Sequence, residues 1–117
     1  KVSWEELIAL YKNAYFLIIA VLYESSSLPI LEAAASNLPI IASKTPPNVE
    51  MGKVLRLNLF DPNDINDLVM NLINCWDNLD VKSQKEFNIK KIELYSWNNI
   101  ASQFLNDFEL LLNNNKC

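Results

Sequence analysis

Residues 15–22 read Tyr-Phe-Leu-Ile-Ile-Ala-Val-Leu, an unbroken apolar run rich in β-formers. A strand with one wet face would alternate in polarity, so this run asks for cover on both faces, as in the middle of a parallel sheet. Even extended to Tyr23 it falls far short of the roughly 18 to 20 residues that cross a bilayer. Parallel pairing needs a crossover, and one follows. After the polar turn Glu24-Ser25-Ser26-Ser27, the segment Leu28 to Ser36 carries Pro29 in its first turn and then an alanine run, which predicts a short helix. Asn37 stands where a left-handed cap usually takes glycine. Pro39 to Ser43 predicts a second buried strand, completing a right-handed strand–helix–strand unit.

The rest of the chain extends this unit. Ser3 and Glu6 form a capping box, and Trp4, Leu7, Ile8 and Tyr11 then share one face, so residues 4–13 are expected to be helical. Lys44 to Asn48 holds two prolines and is expected as loop. Val54 to Phe60 predicts a third strand. Asp61-Pro62 is expected to cap a helix bearing Ile65, Leu68, Val69, Leu72, Ile73 and Trp76 at helical spacing. Asp80 to about Leu94 predicts a more polar helix. Ser96 caps a terminal helix, residues 96–113, striped by Trp97, Ile100, Phe104, Leu105, Phe108 and Leu111, with a fraying Asn113 to Asn115 end. No repeat or linker interrupts the chain, and Gly52 is its only glycine. The expectation is one partial, Rossmann-like α/β domain over residues 1–117, with about three parallel strands flanked by helices and two or three helices at the end. Trp4, Trp76 and Trp97 fall on apolar helical faces, which favours core or interdomain packing over sugar stacking.

A net charge of -4, a pI near 4.7 and the lack of any Lys/Arg cluster exclude a nucleic-acid partner. With no histidine and no metal spacing between Cys75 and Cys117, neither a zinc site nor a histidine-activated nucleophile is expected. Both cysteines read as free thiols, Cys75 buried on a helix. The chain starts at Lys1, as an excised piece with residues missing upstream would. It opens on no signal segment, so the expected address is cytoplasmic, at most peripheral to the inner face of a membrane.

Chemistry concentrates at Glu24 and Glu32, eight residues apart across a strand-to-helix turn. Ligands of open parallel sheets bind beyond the carboxyl ends of the strands, so Glu24 is expected at the rim of a cleft and Glu32 one helical turn farther in. The helix start near Ser27 offers unpaired amides and a positive dipole end, suited to a diphosphate. A carboxylate can accept from two vicinal hydroxyls, so one glutamate could hold a ribose and the other a transferred sugar. Such spacing by itself more often marks a solvated pair beside a turn. Glu50, near Gly52, reads as part of a surface turn.

The flanking residues add a resemblance. Glu24, Leu28-Pro29 and Glu32-Ala33, followed by Ser36-Asn-Leu-Pro-Ile-Ile-Ala-Ser43, resemble the E-x7-E region of family 4 glycosyltransferases of the GT-B fold. The form usual there is close to E-G-F-G-L-P-x-x-E-A and then G-x-P-V-I-A-S. Leu59-Phe-Asp-Pro-Asn-Asp64 is similar to the family's strand-turn-helix after the donor site, and Tyr95-Ser-Trp97 to the start of its last helix. The resemblance therefore covers essentially the whole chain.

The resemblance implies a carboxyl-terminal donor domain, with Glu24 catalytic and near the transferred sugar and Glu32 on the nucleotide ribose. Backbone amides near Ser26, Ser27 and Leu28 would approach the diphosphate. It implies sugar transfer from a nucleotide-diphosphate-sugar to a glycan or lipid-linked acceptor with retention, with no cofactor and no required metal. It further implies that the diphosphate-neutralising Arg and Lys and an amino-terminal acceptor domain lie upstream, so that this chain alone would be inactive. The 96–113 helix would pack on that missing domain, and bare it would promote self-association. The chain departs from the pattern at Ser25-Ser26-Ser27, where Gly-Phe-Gly is common. A non-catalytic nucleotide-sugar binding module, or a nucleotide-sugar epimerase of the same shape, are the competing implications.

Overall fold

Ser3 starts the first helix, α1 (Trp4–Asn13), by the predicted reciprocal bonds: the Glu6 amide donates to Ser3 Oγ at 3.2 Å and the Ser3 amide to Glu6 Oε2 at 2.7 Å. In the computed structural model, which describes residues 1–77 and 88–114, the chain continues through β1 (Leu17–Ile19), α2 (Leu28–Ala35), β2 (Ile40–Ser43), α3 (Pro46–Met51), β3 (Asn58–Phe60) and α4 (Ile65–Asp77). Residues 88–91 are helical, a 3-10 turn spans Ile92–Tyr95, and α5 (Trp97–Asn114) follows. Asn37 ends α2 at φ 59°, the left-handed cap its side chain tolerates.

The three strands are parallel in the order β1-β2-β3. Ile18 pairs with Ile41, and Ala42 with Leu59. Alternation along β2 sends Ile40 and Ala42 into one layer, with Ile30, Ala33, Ala34, Leu38 and Leu55, and Ile41 into the other, with Phe60 and Cys75. Both layers are needed because β2 is buried at every residue. Complete burial of an isoleucine contributes about 1.5–3 kcal/mol, and Ile30, Ile40 and Ile41 are each fully buried. Ala33 and Ala34, also fully buried, let α2 lie close on β1 and β2. The result is the expected arrangement of helices on both faces of a three-stranded parallel sheet.

Several expectations need correction. The 15–22 run is not the central strand; β2 is, and β1 forms an edge of only three residues with one hydrogen-bonded neighbour. Pro46 and Pro47 begin α3 instead of holding a loop, since the first turn of a helix needs no amide from either. The third strand starts at Asn58, not Val54. Residues 53–55 turn back on α3, and both backbone groups of Arg56 are taken by the Asn88 side chain, whose Oδ1 accepts at 2.7 Å and whose Nδ2 donates at 3.0 Å.

Asp64, not Asp61-Pro62, caps α4, accepting from the amides of Asn66 and Asp67. Leu68 and Leu72 of its stripe are half-buried, whereas Ile65, Val69, Ile73 and Trp76 are exposed, because so narrow a sheet covers only part of the helix face. The tryptophans are not core residues of this chain: Trp4, Trp76 and Trp97 are 63%, 67% and 84% exposed. Trp76 meets only the ring of Tyr15 among the described aromatic pairs, at 5.3 Å. Much of the predicted 80–94 helix and Asn115 lie outside the described residues, as does Cys117. Ser96 does cap α5, its Oγ accepting from the Asn99 amide. Beyond Ile100, residues 101–113 of α5 are exposed throughout. No helix among the described residues is long and apolar enough to cross a membrane.

Candidate functional site

The loop that leaves β1 carries Glu24, and its course is set by Ser43 at the end of the neighbouring strand. The Val21 amide donates to Ser43 Oγ at 3.2 Å, and that hydroxyl donates to the Val21 carbonyl at 2.7 Å. One fully buried side chain thus extends the β1–β2 ladder past its last backbone bond. Glu24 follows, half-buried, with Oε2 inaccessible and without a partner.

Ser26 is exposed, Ser27 is 1% exposed at the cap position of α2, and Leu28, the first helical residue, is 63% exposed. Ser27 Oγ makes no capping bond and has no partner, although its carbonyl accepts from the Ile30 amide at 3.1 Å. A buried hydroxyl without a partner costs about 1–3 kcal/mol, and here it stands at the positive end of an eight-residue helix. Such a position suits an anionic oxygen.

Glu32 lies one turn into α2, half-buried, where the Tyr11 hydroxyl donates to its Oε2 at 2.8 Å. Burial, followed by the bond to Glu32 and its charge, pushes the Tyr11 phenol up to about 12. Tyr11 is therefore a neutral donor throughout the physiological range. Its ring packs beside the α2-side core.

The structure thus puts Glu24, Ser26, Ser27 and Leu28 in one segment at the carboxyl end of β1, with Glu32 following on the same helix. Sequence reasoning missed three features. Tyr11 read only as part of an apolar face. Ser43 read only as a strand end. Thr45 Oγ1 and Asn48 Oδ1, both buried without partners after the carboxyl end of β2, fell in a stretch read as loop. A tyrosine at the last turn of a helix is an available polar tip, but nothing local says what it meets.

A hollow of about 310 Å³ opens between the carboxyl ends of β1 and β3, lined by Val21, Leu22, Phe60 and Leu68 among others. It lies on the α4 side and includes neither glutamate. Glu50 is exposed on α3 and ion-paired with Lys53, as suits a surface position. No group of three or more metal-ligating side chains gathers among the described residues. Cys75 is buried against Asn58, and burial raises its thiol, opposed by the Asn58 bond.

Comparison with known proteins adds an independent line. The family described as "Glycosyl transferases group 1" matches residues 1–91. A relative from Mycolicibacterium hassiacum, "MMP alpha-(1->4)-mannosyltransferase", is 34% identical over 113 residues, covering 92% of this chain and 27% of the relative. This chain spans about a quarter of the length of that protein. No solved structure matches.

Proposed function

This chain belongs to the group 1 glycosyl transferases, and from that premise we propose that its parent transfers a hexose from a nucleotide-diphosphate-sugar to a glycan or lipid-linked acceptor, with retention at the anomeric carbon. The observation that carries this is the buried, unpartnered Ser27 hydroxyl at the start of α2, with Glu24 just ahead of it and Glu32 one turn beyond. The diphosphate lies against the Ser26 to Leu28 amides, where the helix dipole favours negative charge. Glu32 accepts from the ribose hydroxyls, and Glu24 faces the transferred sugar, where its carboxylate stabilises positive charge developing at the anomeric carbon. The two carboxylates form the E-x7-E pair.

Mannose is the first sugar to test, because the M. hassiacum relative is a mannosyltransferase. The parent's remaining sequence supplies the acceptor site and the cations that neutralise the diphosphate, so the 117-residue piece alone does not turn over. The apolar stripe of α5 packs on that remainder.

Saturation-transfer NMR of the full-length parent with UDP, GDP and ADP sugars tests the reading. Binding that Glu32→Ala removes supports the donor site and identifies the base. No binding to any sugar nucleotide would move the domain to a non-catalytic role.

A further inference from the structure

The bond from the Tyr11 hydroxyl to Glu32 Oε2 ties α1 to α2, and it ends on the carboxylate assigned above to the ribose. We propose that Tyr11 is a positioning residue for the nucleotide: it holds one Glu32 oxygen so that the other presents its lone pairs to the ribose hydroxyls. The inference rests on that assignment of Glu32 and names the residue that makes the side chain competent.

Four observations support it. Among the described residues the Tyr11 phenol is the hydrogen-bond partner of the Glu32 carboxylate, so without Tyr11 its χ angles would be set by solvent. Tyr11 itself is not free to follow a wandering carboxylate. Its ring is half-buried against the core formed by Ile30, Ala33 and Ala34, on the same helix that carries Glu32. The helix bearing Tyr11 is in turn closed at its start by the Ser3–Glu6 capping box and at its end by the Ala14 amide donating to the Leu10 carbonyl at 2.9 Å. The phenol stays protonated well above physiological pH, so it remains a donor to Glu32 Oε2. A fixed donor on one oxygen lowers the ordering cost that ribose binding would otherwise meet.

The test is a double-mutant cycle in the full-length parent, with GDP-mannose as probe and UDP-glucose and ADP-glucose in parallel, read by calorimetric Kd and by kcat and donor KM. Tyr11→Phe is expected to raise Kd and KM about 3- to 10-fold, the range of an ordinary net hydrogen bond, with kcat changed by less than about 2-fold. Glu32→Ala is expected to raise Kd more, and adding Tyr11→Phe to it to change Kd by less than about 2-fold. A Tyr11→Phe parent that binds like the native one while Glu32→Ala binds weakly overturns the positioning role and leaves the ribose assignment intact. Equal loss from Tyr11→Phe in both backgrounds overturns it in favour of general damage to α1. Unaltered binding in Glu32→Ala, or no binding of any probe to the native parent, overturns the ribose assignment and this inference with it. Should Tyr11→Phe fail to fold, Glu32→Asp in the native parent draws the carboxylate back from the phenol with the Tyr11 ring and its packing intact, and is expected to raise Kd and KM about 3- to 10-fold; native binding in Glu32→Asp overturns the positioning role.

Discussion

Ser43 Oγ holds both backbone groups of Val21, accepting from its amide at 3.2 Å and donating to its carbonyl at 2.7 Å. The contact bridges 22 residues and lies three residues ahead of Glu24, so it sets where the glutamate loop begins. Ser43→Ala leaves two Val21 groups without that partner in a part-buried setting, and a loss of about 1–3 kcal/mol is expected. Urea unfolding of the full-length parent measures it. A change within a few tenths of a kcal/mol would show that water replaces the hydroxyl.

The two glutamates should separate in kinetics. Glu32→Ala is expected to raise nucleotide Kd with a smaller effect on kcat, and Glu24→Ala to lower kcat with little change in Kd, because only Glu32 is assigned to the ribose. Equal losses of both parameters in both variants would sink this division.

Asn88 does the work of a strand partner for Arg56. Its side chain, 1% exposed, satisfies an amide and a carbonyl 32 residues away. Asn88→Leu keeps the bulk and removes both of these bonds, for an expected loss of about 2–3 kcal/mol in the parent. An unchanged denaturation midpoint would mean that Arg56 finds other partners.

Tyr11 makes the fold sensitive to alkali. Its phenol is raised from 10.0 to about 12 in the folded chain, so folding favours the neutral form. That contribution is fully present below pH 10 and is lost as pH rises from about 10 through 12. Tyr95, raised by burial and by the Glu50 charge, acts in the same direction. The informative quantity is therefore the Tm difference between native parent and Tyr11→Phe, which should shrink between pH 9 and pH 11.5. A constant difference across that range argues against the raised value.

The stripe on α5 offers a test of the domain assignment. Phe104 and Phe108 are 61% and 60% exposed, so nothing among the described residues penalises a charge there. In the full-length parent, Phe108→Asp is expected to cost about 2–4 kcal/mol if the remainder of the protein covers the helix. Unchanged thermal stability, with the variant monomeric by sedimentation, would leave the stripe uncovered.

What the amino-acid sequence determined by itself was local. The Ser3–Glu6 box, Pro29 and the alanine run of α2, the left-handed Asn37, the apolar β2 and the Ser96 cap each act within a few residues, and each appears where its neighbours require. So do Glu24 and Glu32, whose relation to one helix start follows from spacing. Tertiary structure decided the rest. Whether an apolar strand is central or at an edge depends on how many neighbours it finds, which left β1 short and β2 buried. Whether an apolar helix stripe is core depends on the area opposite it, which a three-stranded sheet keeps small. The bonds from Tyr11 to Glu32, Val21 to Ser43 and Arg56 to Asn88 join residues 21, 22 and 32 apart. At those separations no local propensity links the partners, and only the packed fold brings a donor within reach of its acceptor.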